Sequence, residues 1–325
     1  MLKTMKAVVM YEPGNAEVLK LESRPVPVPQ RGQVLIRIKA FGLNRSEFFT
    51  RSGNSMNHAT FPRILGIEGT GIVEDAPGGE FNKGDIVATS LGGMGIAFDG
   101  SYAEYTRVPA TQVQVIKTKL YWETIGAIPE MLQTAWGALF RSLQLKKGDR
   151  LLIRGGTSSV GLAAAAIAKK HGAFVASTTR RADRKDMLMA NGADEVFIED
   201  GHIAEDVKKG EKFDKILELV GTTTLEDSLK CARENGIVCM AGIVGNSWTL
   251  PNFHPMRAIP KSVYFATYAG DAGDFMATPL EELCQQVAAG KLHIQIGKTF
   301  KIDEIVEAHK CMENNEAGGK IVILV

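Results

Sequence analysis

The apolar residues of this chain follow two different spacings in two regions. Up to about Tyr121 they come in short runs, broken every few positions by Gly, Pro or Asp. Val8, Val9 and Met10 begin the series, and Val34 to Ala40 alternates apolar with basic residues, the two-residue period of a half-buried strand. Gly69–Val73, Asp85–Ala88 and Tyr102–Tyr105 continue as short strands between turn residues. Pro25-Val26-Pro27-Val28-Pro29 must be extended, because proline fixes φ and removes the donor that a helix needs. The first region is therefore predicted to be β-rich.

From Trp122 the spacing changes. Apolar runs predict strands at Leu151–Ile153, Phe174–Ser177, Glu195–Ile198, Lys215–Leu219, Gly236–Ala241 and Tyr264–Thr267, with helical stretches such as Leu162–Lys170 between them. Strand alternating with helix implies a parallel sheet with helices on both faces. After Thr267 come a helix at Pro279–Ala289, the segment His293–Phe300, a helix at Ile302–Glu313 and a closing strand at Lys320–Val325. These last pieces resemble the first region more than the second. The expected division is 1–121, 122–265, and a return segment 266–325 that completes the first domain.

Bulk properties narrow the function classes. At 325 residues the chain is long for one core, and 45% hydrophobic with 23% charged residues is ordinary globular composition. A net charge of +1 without basic or acidic blocks favours neither nucleic acid nor an anionic membrane as partner. No window reaches the length of a membrane span, and the N-terminus reads as strand and turn rather than signal peptide. Cys231, Cys239, Cys284 and Cys311 form no CxxC pair, so a reduced, cytoplasmic protein is expected.

The candidate chemistry starts at LLIRGGTSSVG, Leu151 to Gly161. An apolar strand breaks into a small-residue turn and then an alanine-rich helix. Unpaired N–H groups at such a helix start attract the oxygens of a pyrophosphate. His171-Gly172 ends the helix, Ala173 to Thr178 reads as the next strand, and Thr179-Arg180-Arg181 follows where a dinucleotide ribose would lie. An acid there would bond the ribose hydroxyls of NAD. This chain has Thr178, Thr179 and Arg180 instead, with Arg184 a turn later, which favours the extra phosphate of NADP(H). A solvated basic patch is the other reading of the same residues.

Collinear motifs then identify a family resemblance: GLNRSE at Gly42–Glu47, PRILGIEGTGIV at Pro62–Val73, KGDIV at Lys83–Val87, GSYAEYTRVPA at Gly100–Ala110, TAWGAL at Thr134–Leu139, KGDRLLIRGGTSSVG at Lys147–Gly161 and GGKIVILV at Gly318–Val325. The chain resembles the medium-chain dehydrogenases/reductases, and within them the zinc-free NADPH quinone oxidoreductases. The resemblance implies an α/β protein with a GroES-like β-rich catalytic domain and a Rossmann domain with a doubly wound parallel sheet. In zinc-dependent members the metal ligands fall on Asn44, Ile67 and Glu130; an amide and an isoleucine cannot complete a tetrahedral site, so no metal is expected. The implied reaction is hydride transfer from NADPH to a quinone or other conjugated carbonyl. Alternatives are an enoyl or alkenal reductase and a low-turnover NADPH-binding protein.

The resemblance also implies roles. Asn44 supplies an amide donor and Ser46 a proton-relay hydroxyl, or both simply serve the helix Arg45–Thr50, Asn44 as its cap. Phe49 stands where many members have tyrosine and can stack but not donate a proton. Glu130 is either an acid raised by an apolar setting or a solvated helix-start glutamate. Thr134 faces the nicotinamide carboxamide, while Gly155, Gly156, Thr157, Ser158, Ser159 and Val160 surround the pyrophosphate, Ser158 replacing a glycine. Val220-Gly221 with Gly242, Ile243 and Val244 meet the ribose and nicotinamide edge. Lys320 reaches the cofactor or lies on the surface. Loops Asn54–Phe61, Leu91–Asp99 and Tyr268–Phe275 wall the acceptor pocket, and an exposed strand Ser247–Leu250 pairs two copies in a homodimer.

Overall fold

The computed structural model describes residues 3–54, 59–207 and 211–325. The chain divides into two compact units, Met1–Gln133 with Gly270–Val325, and Thr134–Ala269. Both divisions fall later than the expected 121 and 265. The first stretch carries strands β1 (Thr4–Met10), β2 (Lys20–Pro25), β3 (Gln33–Gly42), β4 (Arg63–Ile64), β5 (Glu68–Asp75), β6 (Ile86–Ser90), β7 (Tyr105–Pro109) and β8 (Val113–Val115). The second unit holds β9 (Arg150–Arg154), β10 (Phe174–Thr179), β11 (Glu195–Ile198), β12 (Phe213–Glu218), β13 (Ala232–Met240) and β14 (Tyr264–Thr267). The return segment adds β15 (Ile296–Lys301) and β16 (Lys320–Leu324) to the first unit.

In the first unit β3 is the organising strand. It pairs antiparallel with β5, β7 and β16, within a sheet ordered β15-β16-β3-β5-β6-β8. The alternation read from sequence sends Val34, Ile36 and Ile38 into a core shared with Val8, Val9, Met10, Phe41, Tyr102, Ile321 and Ile323. Each such fully buried aliphatic side chain contributes roughly 1.5–3 kcal/mol of transfer free energy. Tyr102 stacks on Phe41, ring centroids 4.7 Å apart, and its hydroxyl lies 3.0 Å from Nε2 of buried His309. Burial and the nearby Arg51 charge push the His309 imidazole down to about 3, so it packs as a neutral ring.

The second unit is a six-stranded, wholly parallel sheet in the order β11-β10-β9-β12-β13-β14. The order reverses beside β9, which makes the C-terminal ends of β9 and β12 a topological switch point. The helix Ser159–His171 buries Leu162, Ala163, Ala164, Ala165, Ile167 and Ala168, small side chains that allow close packing on the sheet. It stops at Gly172, whose φ of 91° is a left-handed cap that glycine adopts without a Cβ clash.

Differences from the sequence reading have local causes. β9 runs past Ile153 to Arg154, a buried charged residue that an apolar pattern excludes, while β12 starts at Phe213 and ends at buried Glu218, one residue short of the expected Leu219. β13 starts directly after the helix Thr222–Cys231 and carries exposed Arg233, Glu234 and Asn235 before its apolar part. The supposed strand Ser247–Leu250 is irregular; the sheet edge is β14, which a short apolar run marks less clearly. Within the expected loop Tyr268–Phe275 a helix, Ala272–Ala277, begins instead. Its N-terminus is tied reciprocally: Asp274 N–H donates to Asp271 Oδ1 (2.9 Å) and Asp271 N–H to Asp274 Oδ2 (3.1 Å). No described helix is long and apolar enough to cross a membrane.

Candidate functional site

Two registers converge at Gly42. In β16 Val322 pairs with Gly42, and Leu43 N–H donates to Ile321 O, so Lys320 falls beside Asn44. In β5 Thr70 pairs with Ala40, so Glu68 falls beside Gly42. The result is a buried polar cluster in the first unit. Lys320 Nζ donates to Glu68 Oε1 at 2.7 Å and to Asn44 Oδ1 at 2.6 Å, and lies 3.8 Å from Glu130 Oε2. Asn44 Nδ2 donates to Glu68 Oε1 at 2.9 Å, and the backbone N–H of Glu130 donates to Glu68 Oε2 at 2.8 Å. Lys320 is 1% exposed and Glu68 fully buried.

Glu47 forms the second layer. Its carboxyl accepts the N–H of Asn44 (3.0 Å) and of Ile67 (3.1 Å), tying the helix Arg45–Arg51 to the chain before β5. Desolvation, aided by the Glu68 charge, pushes this carboxyl up to about 8, so near neutrality it carries a proton. Burial acts to lower the Lys320 ammonium, but the charges of Glu68 and Glu130 outweigh it and hold Lys320 above its ordinary value. The cluster thus combines a permanently charged ammonium with a buried protonated acid.

In the second unit the turn after β9 is held from β10. Gly155 N–H donates to Thr178 Oγ1 (3.1 Å) and Gly156 N–H to Thr178 O (3.1 Å). Gly155 has φ of 80°, and a Cβ on Gly156 would lie 2.9 Å from Ser177 Cβ. Ser158 is the N-cap of the following helix: its Oγ accepts Gly161 N–H (3.1 Å) and donates to Gly155 O (2.7 Å). The N–H groups of Ser159 and Val160, in the first turn, have no intrahelical acceptor. The loops after β12 and β13 zip together beside this turn, Val244 N–H to Leu219 O (3.0 Å) and Gly245 N–H to Val220 O (2.8 Å). Glu218 fixes the first of them by accepting Val220 and Gly221 N–H.

The structure therefore brings Gly155, Gly156, Thr157, Ser158, Ser159 and Val160 together with Val220, Gly242, Ile243 and Val244 at the strand ends where open α/β sheets bind ligands. Thr178 is a strut beneath the turn. Thr179 is buried and bonded to the Arg181 backbone, Arg180 is exposed and Arg184 half-buried. Thr134 is buried at the start of the unit. In the first unit Ser46 is half-buried and Phe49 buried. Asn44 occupies the N-cap position in a capping box with Glu47, and its Nδ2 also donates to Glu68 Oε1 inside the cluster, so it serves the helix start and the cluster together. Lys320 is not a surface lysine. Glu130 is not fully solvated: its side chain is 15% exposed beside Lys320. Of the loop Asn54–Phe61, residues 55–58 lie outside the described residues.

Glu68 and the buried protonated state of Glu47 escaped sequence reasoning. A sign was present in GIEGTGIV, where one carboxylate interrupts a strand of small and apolar residues. Arg154 was also missed. It is fully buried immediately before the turn and binds Glu199 through both Nε and Nη2, Asp227 at 2.6 Å, Ser228 Oγ and Thr224 O.

Residues 30–118 match the alcohol dehydrogenase GroES-like domain and residues 191–323 the zinc-binding dehydrogenase family. A quinone oxidoreductase of Pongo abelii is 31% identical over 99% of this chain and 98% of its own. The solved quinone oxidoreductase of Coxiella burnetii has a TM-score of 0.84 at 26% identity, covering 99% of this chain and all of that one. A mycobacterial protein, Rv1454c, solved with NADPH, has a TM-score of 0.86 at 26% identity over the same shares. The chain belongs to the medium-chain dehydrogenase/reductase family, in its quinone oxidoreductase-like branch. It is an oxidoreductase of the type that works with a nicotinamide nucleotide and a small-molecule substrate.

Zinc, which one of those family descriptions implies, does not fit the residues at hand. Ile67 offers a buried hydrocarbon, Asn44 gives its amide oxygen to Lys320, and a cationic ammonium stands beside Glu68 and Glu130. Among the described residues no group of three His, Cys, Asp or Glu side chains is placed to hold a metal ion. A nicotinamide nucleotide does fit: Gly155 and Gly156 let the turn pack closely on β10 and the chain after β12, and its helix-start N–H groups suit a pyrophosphate.

Proposed function

We propose that the protein is a zinc-independent, NADPH-dependent reductase that delivers hydride to quinones or other conjugated carbonyl acceptors. The observation that carries this reading is the seat after β9, a glycine turn capped by Ser158, with Thr178, Thr179 and exposed Arg180 rather than an acid at the end of β10. When bound, the nicotinamide supplies the hydride. Gly155 to Val160 bind its pyrophosphate, Arg180 and Arg184 pair with the 2′-phosphate, and Thr134, Val220, Gly242, Ile243 and Val244 orient the nicotinamide end.

A conjugated acceptor delocalises the incoming charge, so the protein needs hydrogen-bond donors and positioning more than a Lewis acid. Ser46 is the proposed relay hydroxyl, Phe49 packs the acceptor side, and Asn44, Glu130 and Lys320 set the local field. The protonated carboxyl of Glu47 adds a buried proton reserve that the sequence reading lacked. The edge strand β14, with Tyr264 59% and Phe265 38% exposed, replaces Ser247–Leu250 as the proposed homodimer contact. Four free, buried cysteines accord with a reducing, cytoplasmic setting.

Steady-state loss of NADPH absorbance tests the reading. Turnover with benzoquinone or naphthoquinone supports it, a strong preference for 2-alkenals replaces the acceptor class, and tight NADPH binding without turnover on any acceptor overturns the enzyme assignment.

A further inference from the structure

In the first unit one atom organises the polar cluster. Lys320 Nζ touches Glu68 Oε1 and Asn44 Oδ1 and faces Glu130 Oε2. By the motif resemblance, Asn44 and Glu130 fall on two of the three metal positions of zinc-dependent members, and Glu68 directly follows the third, Ile67. We propose that Lys320 is the resident cation of this place: its tethered ammonium neutralises Glu68, fixes the rotamer of Asn44 and keeps divalent metal out. The inference rests on the metal-free part of the reading above and not on which nucleotide binds.

Three features support it. An ammonium only donates, so Asn44 must turn its Oδ1 toward Lys320, which leaves Nδ2 for Glu68; the amide has one orientation. Space for the ammonium is built in at Gly42, where a Cβ would strike Lys320 Cε, lie 2.5 Å from Glu68 Oε1 and 2.9 Å from Lys320 Nζ. Finally, a buried carboxylate such as Glu68 is costly unless a cation accompanies it. Because the cation is covalently part of β16, it cannot be lost to a chelator or exchanged. Lys320 is here a positioning residue.

Removal of the lysine side chain should leave an oxygen-lined hole that attracts a hard divalent ion. Mn(II) alone is the probe, followed by its electron paramagnetic resonance signal. The wild type should take up none at millimolar concentration, and Lys320→Ala should bind about a hundredfold more tightly, as expected when a like charge leaves the same point. The paired variant Lys320→Met/Glu68→Gln, which removes both charges, should fold and bind no Mn(II). Equal Mn(II) binding by wild type and Lys320→Ala overturns the proposal. Where Lys320→Ala folds poorly, recovery of its circular dichroism by Mn(II) supports the assignment, and failure of Mn(II) to restore it, with the paired variant folded, overturns it. No readout involves a nucleotide, so failure of the reductase reading would be seen separately.

Discussion

Each unit holds a buried cation in contact with more than one carboxyl group, Arg154 in one and Lys320 in the other, and the two solve the problem differently. Arg154 distributes its guanidinium over Glu199, Asp227, Ser228 and the Thr224 carbonyl, joining β9 to the loop after β11 and the helix Thr222–Cys231. The neighbouring Glu218 has donors on both oxygens, two backbone N–H groups and the hydroxyls of Thr224 and Ser228. That network is a scaffold beneath the turn after β9. Lys320 instead concentrates its charge on one atom and bonds Glu68 and Asn44, while Glu47 keeps a proton. A planar fork ties segments together; a point charge sets a local field.

Breaking the scaffold should have the largest effect. Arg154→Met leaves buried carboxylates without their cation and should cost about 3–5 kcal/mol in urea unfolding. A loss below about 1 kcal/mol would mean that the network is decorative. The Glu47 proton comes next. Its carboxyl titrates at about 8 in the folded chain against an ordinary 4.5, so the folded state binds that proton more tightly. The stability this contributes is complete below the unfolded value and is lost as pH rises through the folded one. Wild-type stability should therefore decline by about 2–4 kcal/mol relative to Glu47→Gln across that window. Parallel pH profiles for the two would contradict a raised Glu47.

The nucleotide side offers two smaller tests. Arg180→Ala with Arg184→Ala should weaken NADPH about tenfold to a hundredfold and leave NADH nearly unchanged, as measured by fluorescence titration. Equal losses would remove the phosphate assignment. Ser158→Ala should cost about 1 kcal/mol of thermal stability through the lost cap, with a change in NADPH affinity below about threefold. A larger affinity loss would make Ser158 a pyrophosphate ligand rather than a cap.

The same contrast explains what was legible in the sequence. β10, β11 and β14 start where apolar runs start, and the turn at Gly155 stands out because glycine and serine punctuate a strand–helix junction within a short span. Arg154 was invisible as a strand end, and the burial of Glu218 inside its expected strand was equally unreadable, because both depend on partners from other elements. Lys320 and Asn44 are 276 positions apart, and only the β3–β16 register makes them neighbours. Glu68 joins them through a second register, β3 with β5. Motif matching could place Lys320 near the chemistry but not in an ion pair, since a pairing between distant strands leaves no local periodicity.

The seat after β9 is the proposed nucleotide site, and calorimetric titration of the purified chain with NADPH and NADH tests it most directly. NADPH should bind at one site per chain, about tenfold or more tighter than NADH, in keeping with one phosphate paired to arginine. Absence of heat and of competition for either nucleotide would contradict the assignment at its root.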